Sequence, residues 1–178
     1  MKTLIFHAIQ NAEIVPEFYE RTKQKPNILI SYPYIDGQAE KLAIEYRDKI
    51  NQLLLDSGAY SVFMGKAKVS LHEYALYLKL FGRLFDAVIN LDDELYGPQH
   101  NQENQRYLEE FLKDTGIRPV PVVHDMEKPM EEFEIYVNDG HSYISIGSNK
   151  EMSYSLLEEV KKRFSEIKVH MFGTLDKD

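Results

Sequence analysis

The chain has 178 residues, 43% hydrophobic and 28% charged, enough for one domain with a sizeable core. It contains no cysteine, which excludes disulfides and cysteine-ligated zinc, and no apolar run near the roughly 20 residues of a membrane helix. The formal net charge of -8 argues against broad, sequence-blind binding to nucleic acid, which depends on neutralising phosphates, and a cytoplasmic setting fits this composition.

Apolar patterning places the first strand at Thr3–Ile9 and a helix at Val15–Lys25, with Pro16 near its start where a missing amide hydrogen costs nothing. Asn27–Tyr32 (NILISY) is a second strand closed by Pro33, Gly37–Ile50 a helix, and Leu53–Asp56 a third strand that runs into DSGAYS. Ser70 and Glu73 have capping-box spacing, and Leu71, Tyr74, Ala75, Leu78 and Phe81 follow at helical spacing as a core stripe. Asp86–Asp92 is a fourth strand, and Gln102–Thr115 a helix with Gly116 as its left-handed cap. Ile117–Val123 is a fifth strand in spite of its two prolines, followed by a short helix at Glu131–Asn138. Ser142–Ile146 is a sixth strand, Met152–Phe164 a helix and Lys168–Phe172 a seventh strand ended by Gly173. Regular alternation without an internal break predicts one α/β domain over residues 1–178, with a parallel sheet covered by helices. Seven strands fit an open doubly wound sheet, or a (β/α) TIM-barrel-like fold whose last β/α unit is missing. No GxGxxG or P-loop pattern follows any strand, which argues against a dinucleotide or nucleoside-triphosphate site.

Parallel strands bring their carboxyl ends to one face. That face then carries His7, Tyr32, Asp56 with Ser57, Asp92 with Asp93, His124 with Asp125, Gly147 with Ser148, and His170 with Gly173. Each residue alone suits a turn or a cap; together they describe a polar pocket. One chemistry for it is recognition of a purine-like base. Carboxylates accept from ring N–H and exocyclic amine groups, and Tyr60 and Met171 lie where a flat ring is stacked. Another is a Zn²⁺ or Mn²⁺ centre built from His7, His124 and His170 with Asp56 or Asp92, as in a metal-dependent hydrolase. A third reading is a non-catalytic module whose open sheet edges recruit a partner.

The same residues resemble the tRNA-guanine transglycosylase (queuine or deazapurine ribosyltransferase) family, and most closely its phage and bacterial relatives linked to deazapurine insertion into DNA. DSGAYS at Asp56–Ser61 is similar to the family's DSGG-aromatic motif after the third strand, and NLDDE at Asn90–Glu94 to its acid at the end of the fourth. PVVHD at Pro121–Asp125 puts His124 where the family has a polar base-contacting residue, often glutamine. SIGS at Ser145–Ser148 and VHMFGT at Val169–Thr174 resemble the family's sixth- and seventh-strand segments.

The resemblance implies a barrel that exchanges a purine for a 7-deazaguanine-type base in tRNA or DNA. Asp56 would be the base-recognising or acid/base carboxylate. Ser57, Gly58, Tyr60, Asp92, Asp93, His124, Gly147, Ser148 and Met171 would bind the base. It implies no cofactor here, because the family's zinc subdomain needs cysteines. The family's nucleophilic aspartate follows an eighth strand, and the sequence ends at Asp178 before one. Transfer by this chain alone is therefore not expected. An oligomer or a partner chain completing the barrel is.

Overall fold

Strand and helix alternate along the chain as the apolar pattern predicts, and every strand pairing is parallel. The computed structural model describes residues 4–92, 97–125, 127–147 and 150–173. In chain order these hold β1 (Phe6–Ala8), α1 (Ile14–Thr22), β2 (Asn27–Ser31), α2 (Gln38–Glu40), β3 (Gln52–Asp56), α3 (Ala59–Phe63), α4 (Leu71–Phe81) and β4 (Ala87–Val88). There follow α5 (Gly97–Leu112), β5 (Val122–Val123), α6 (Pro129–Asn138), β6 (Tyr143–Ile146), α7 (Lys150–Arg163) and β7 (Lys168–Met171). The ladders form a four-stranded sheet, β1-β2-β3-β4, and a three-stranded sheet, β5-β6-β7. The α/β class with parallel strands is as expected. A seven-strand barrel is not shown, and among the described residues no ladder joins β7 to β1.

Several elements are shorter than their apolar runs, each for a local reason. The helix expected over Gly37–Ile50 is broken. Residues Lys41–Glu45 form a π turn in which Tyr46 N–H donates to Lys41 O at 2.7 Å, and Arg47–Lys49 is a single 3₁₀ turn. The wider turn buries both Leu42 and Tyr46 and leaves Ile44 exposed. Glu13 holds the register by accepting from the Tyr46 hydroxyl at 2.8 Å and pairing with Lys41. The expected fifth strand shrinks to Val122–Val123 plus one bridge at Val120, because Pro119 and Pro121 offer no N–H to a ladder. The helix expected at Gln102 starts at Gly97 and buries three amide side chains, Asn101, Asn104 and Gln105.

Among the described residues, one short backbone bridge joins the two sheets. Val120 N–H donates to Val88 O at 2.8 Å, and Asn90 N–H donates to Val120 O at 2.9 Å. The buried amides of α5 satisfy carbonyls that this short junction leaves over: Asn104 donates to Leu91 O at 2.8 Å and Gln105 to Pro119 O at 2.8 Å.

Side chains alternate across the strands. One face packs under helices: Leu53 and Leu55 join Tyr74, Leu78 and Leu108 in one cluster, and Val123, Ile144 and Ile146 join Phe133, Leu156 and Val160 in another. The opposite face makes a third cluster, in which Leu54, Ile89, Val120 and Val122 pack with Phe6, Leu29, Tyr143 and Phe172. That cluster draws on both sheets. β3 is also pinned at its amino end, where Asp86 accepts from Leu53 N–H at 2.7 Å and grips Arg47 at 2.8 and 2.9 Å.

Because the third cluster joins the sheets, Leu54→Ala is expected to cost about 2–5 kcal/mol and to keep a single unfolding transition. Urea unfolding followed by circular dichroism and tyrosine fluorescence checks this; separate transitions would mean that the sheets unfold independently.

Candidate functional site

β3 is an apolar strand that ends in an acid, so its last side chain leaves the core at the carboxyl end of the sheet. Asp56 is paired in register with Ser31 of β2. Its Oδ2 accepts from Ser31 Oγ at 3.0 Å and from Gly58 N–H at 3.2 Å. The chain then reverses at Gly58, whose φ of +86° lies in the left-handed region, and α3 begins. A Cβ at Gly58 would also fall 2.3 Å from Pro33 Cδ, so the turn requires glycine on two counts.

Asp92 arrives from the end of the fourth-strand segment and is buried. Its Oδ1 accepts from the fully buried Ser57 hydroxyl at 3.4 Å, and its Oδ2 pairs closely with His124 Nε2. The His124 ring packs close to Gly147, where an added Cβ would fall 2.5 Å from ring atoms. Four strand exits therefore converge: Asp56 and Ser57 after β3, Asp92 after β4, His124 after β5 and Gly147 after β6. Asp56, Asp92, His124 and Gly147 border a cavity of about 460 Å³, with Ala59, Tyr60, Phe172 and Gly173 completing its wall, whereas Ser57 is fully buried and does not line it. Tyr60 is 63% exposed and stands at the rim.

Burial and the neighbouring negative charge of Asp92 push the Asp56 carboxyl up to about 6; the hydrogen bonds from Ser31 and Gly58 oppose the shift without cancelling it. Asp92, by contrast, faces an imidazole. The site thus holds two acids in different surroundings, one able to carry a proton near neutrality and one matched by a base.

The sequence reading missed Glu132. This acid of α6 is buried, and its Oε2 accepts from the backbone N–H groups of His124 at 2.8 Å and Asp125 at 2.7 Å. Tyr136, one turn on, donates its hydroxyl to Oε1 at 3.2 Å. Burial raises the Glu132 carboxyl above the ordinary range. The available signal was its place beside Phe133 and Tyr136 on the apolar stripe of the helix. Asp125 turns away from the cavity and accepts from the N–H groups of Glu127 and Lys128, both at 2.9 Å, at the start of α6.

Other expected residues fall elsewhere. Met171 packs with the helix-side cluster, so Phe172, not Met171, supplies the ring beside Asp56. The strand alternates, and one position decides the face. Asp93 and Ser148 lie outside the described residues. The three histidines of the metal reading do not converge. His7 is exposed beside Phe18, His124 binds Asp92, and His170 is buried with its ring 5.5 Å from that of Phe6 and 4.6 Å from that of Phe172. Burial lowers His170 to about 4, and among the described residues no group of three His, Asp or Glu side chains is placed to hold a metal ion. Nor is any described helix long and apolar enough to cross a membrane.

No family model, curated protein or solved structure matches this chain. The reading of the site therefore rests on its own geometry and on the motif likeness given above.

The raised Asp56 carboxyl has a consequence for stability. Its folded value of about 6 lies above the ordinary aspartate value of 3.8, so the folded state keeps this proton longer than the unfolded chain. The resulting stability is complete below about pH 4 and is lost as pH rises through about 6. Asp56→Asn keeps an acceptor for Ser31 and Gly58, so it is expected to abolish this decline and to gain on the order of 2–3 kcal/mol relative to the parent at pH 8. Urea unfolding of both proteins at intervals from pH 4 to 8 checks it.

Proposed function

We propose that the cavity beside Asp56 binds a guanine or 7-deazaguanine base, in a transglycosylase-like domain that acts on such a base in tRNA or DNA. The observation that carries this reading is the convergence of Asp56, Asp92 and His124 on one cavity with Tyr60 and Phe172. A volume near 460 Å³ lies in the range of small-molecule sites. A guanine-type ring offers N–H donors on its Watson–Crick edge and a carbonyl acceptor beside them. A carboxylate accepts the former. A protonated Asp56 or the His124 ring donates to the latter. Tyr60 and Phe172 offer aromatic faces or edges for the flat ring.

The fold supports the same reading. Strand order runs β1 to β7 without a reversal, all pairings are parallel, and the third core cluster draws side chains from both sheets. We read this as a (β/α) barrel seen without its closing unit, with the cavity at the carboxyl ends of the strands, where such barrels carry their sites. The likeness of DSGAYS, NLDDE, PVVHD and SIGS to the transglycosylase motifs adds the substrate class. In this reading Asp56 is the base-recognising acid, and Asp92 with its partner His124 meets the Watson–Crick edge. The chain's own described residues supply recognition; the attack on a glycosidic carbon is not assigned to any of them. With a charge of -8, contact with a polynucleotide would be local to the mouth of the cavity and not spread over the surface.

Isothermal titration with 7-deazaguanine is expected to show one site per chain, with adenine at least about tenfold weaker because its edge reverses the donors and acceptors. Asp56→Asn is expected to weaken 7-deazaguanine binding by about tenfold or more while circular dichroism stays unchanged. Equal binding by the variant would remove Asp56 from the site and overturn the proposal.

A further inference from the structure

A helix laid on a sheet needs one apolar stripe, and α4 carries leucine on its outer side as well. Tyr74, Ala75 and Leu78 are buried and join Leu53 and Leu55 of β3 in the core. On the opposite side His72, Glu73, Leu76, Lys79 and Leu80 are all exposed. Leu76 is 42% exposed and Leu80 73%, the highest value among the large hydrophobic side chains described. These two leucines gain little from the chain's own core, and helix propensity does not demand them, because charged residues serve nearly as well in water.

The charges on this face are arranged about the leucines. At about 100° per residue, Glu73 and Lys79 stand about 60° to either side of Leu76, one before it and one after. Between them runs the oblique row His72, Leu76, Leu80, each residue four after the last. A half-turn about an axis lying along that row exchanges its two flanks. It lays Leu76 and Leu80 on the same residues of a second copy, and it sets each Glu73 against the Lys79 of the other.

We propose that this face of α4 is a two-fold interface through which the chain pairs with a second copy of itself. Among the described residues Glu73 and Lys79 have no ion-pair partner, and Lys79 instead lies over the Phe111 ring at 5.1 Å. An unrelated protein would need an acid and a base at matched places around an apolar row; a second copy brings both by symmetry. With a charge of -8, two copies repel one another in general, so pairing needs a face where opposite charges meet. Here two attractive pairs flank the shared leucines. The contact is closed, since each copy spends the same patch on the other and leaves none for a third. It depends neither on the ligand of the cavity nor on how the sheets end.

The test is sedimentation equilibrium of the full chain from about 1 µM to about 1 mM, a span that covers weak and moderate pairing. The mass is expected to rise from one chain to two and to stop there. Leu80→Glu sets like charges together on the axis and is expected to keep the chain monomeric throughout. Glu73→Lys and Lys79→Glu are each expected to weaken pairing about tenfold or more, since each turns both attractive pairs into repulsive ones. The double variant E73K/K79E is expected to recover pairing, and an equimolar mixture of the two single variants to pair more tightly than either alone. The mixture needs no new side chain, so its recovery separates lost pairing from damaged folding. A parent that stays monomeric at about 1 mM overturns the proposal. So does pairing by Leu80→Glu equal to the parent's, a mass that climbs beyond two chains, or single variants that fail to recover when mixed. Base titration of the monomeric variant reads the cavity alone, so this proposal and the reading of the site fail separately.

Discussion

Two backbone hydrogen bonds at Val120 hold the molecule's two halves in one frame. The four-stranded sheet carries Asp56 and Asp92, and the three-stranded sheet carries His124 and Gly147. The bridge between Val88, Val120 and Asn90 and the apolar face shared across it bring these groups together. Prolines on both sides of Val120 stop the ladder from extending, so the junction stays short. The buried amides of α5 then matter more than their number suggests. They bond to Leu91 and Pro119, carbonyls that a longer ladder would have satisfied and that would otherwise sit in the core without a partner.

Within the site, the same residue type is used twice in different surroundings. Asp56 sits at the end of an apolar strand with a hydroxyl and one amide for company, and it meets the charge of Asp92 across the cavity. Asp92 has the imidazole of His124. That ring is placed from two directions: Gly147 leaves it room, and Glu132 fixes the backbone on which it is mounted. A buried carboxylate that accepts two consecutive N–H groups is a rigid mount, because moving the loop would strand a charge in the core.

The strands were legible in the sequence because each is a short apolar run closed by a turn residue, and parallel pairing then follows from alternation with helices. The residues at their exits were legible for the same reason: once the strands are parallel, Asp56, Asp92, His124 and Gly147 must share a face. What was not legible depends on side-chain direction or on through-space partners. Met171 and Phe172 are adjacent apolar residues, and only the register with Ile146 tells which faces the helices. Glu132 reads as one more surface acid until the loop it holds is in place. The π turn at Lys41–Glu45 answers to Glu13, 28 residues away from Lys41, which no local pattern reports.

Asp86 lies at the far end of β3 from the site, yet it bears on where Asp56 stands. A parallel strand with apolar residues at three successive positions has little of its own to fix its alignment, since Leu53, Leu54 and Leu55 are interchangeable to the core. A slip of two residues keeps the same faces inward and shifts the strand by about 6.6 Å along its axis. Such a slip would lift Leu53 N–H off the Asp86 carboxylate, which is itself anchored by Arg47. The acid at the amino end thus acts as a zero mark for the ruler, and the height of the acid at the carboxyl end is measured from it.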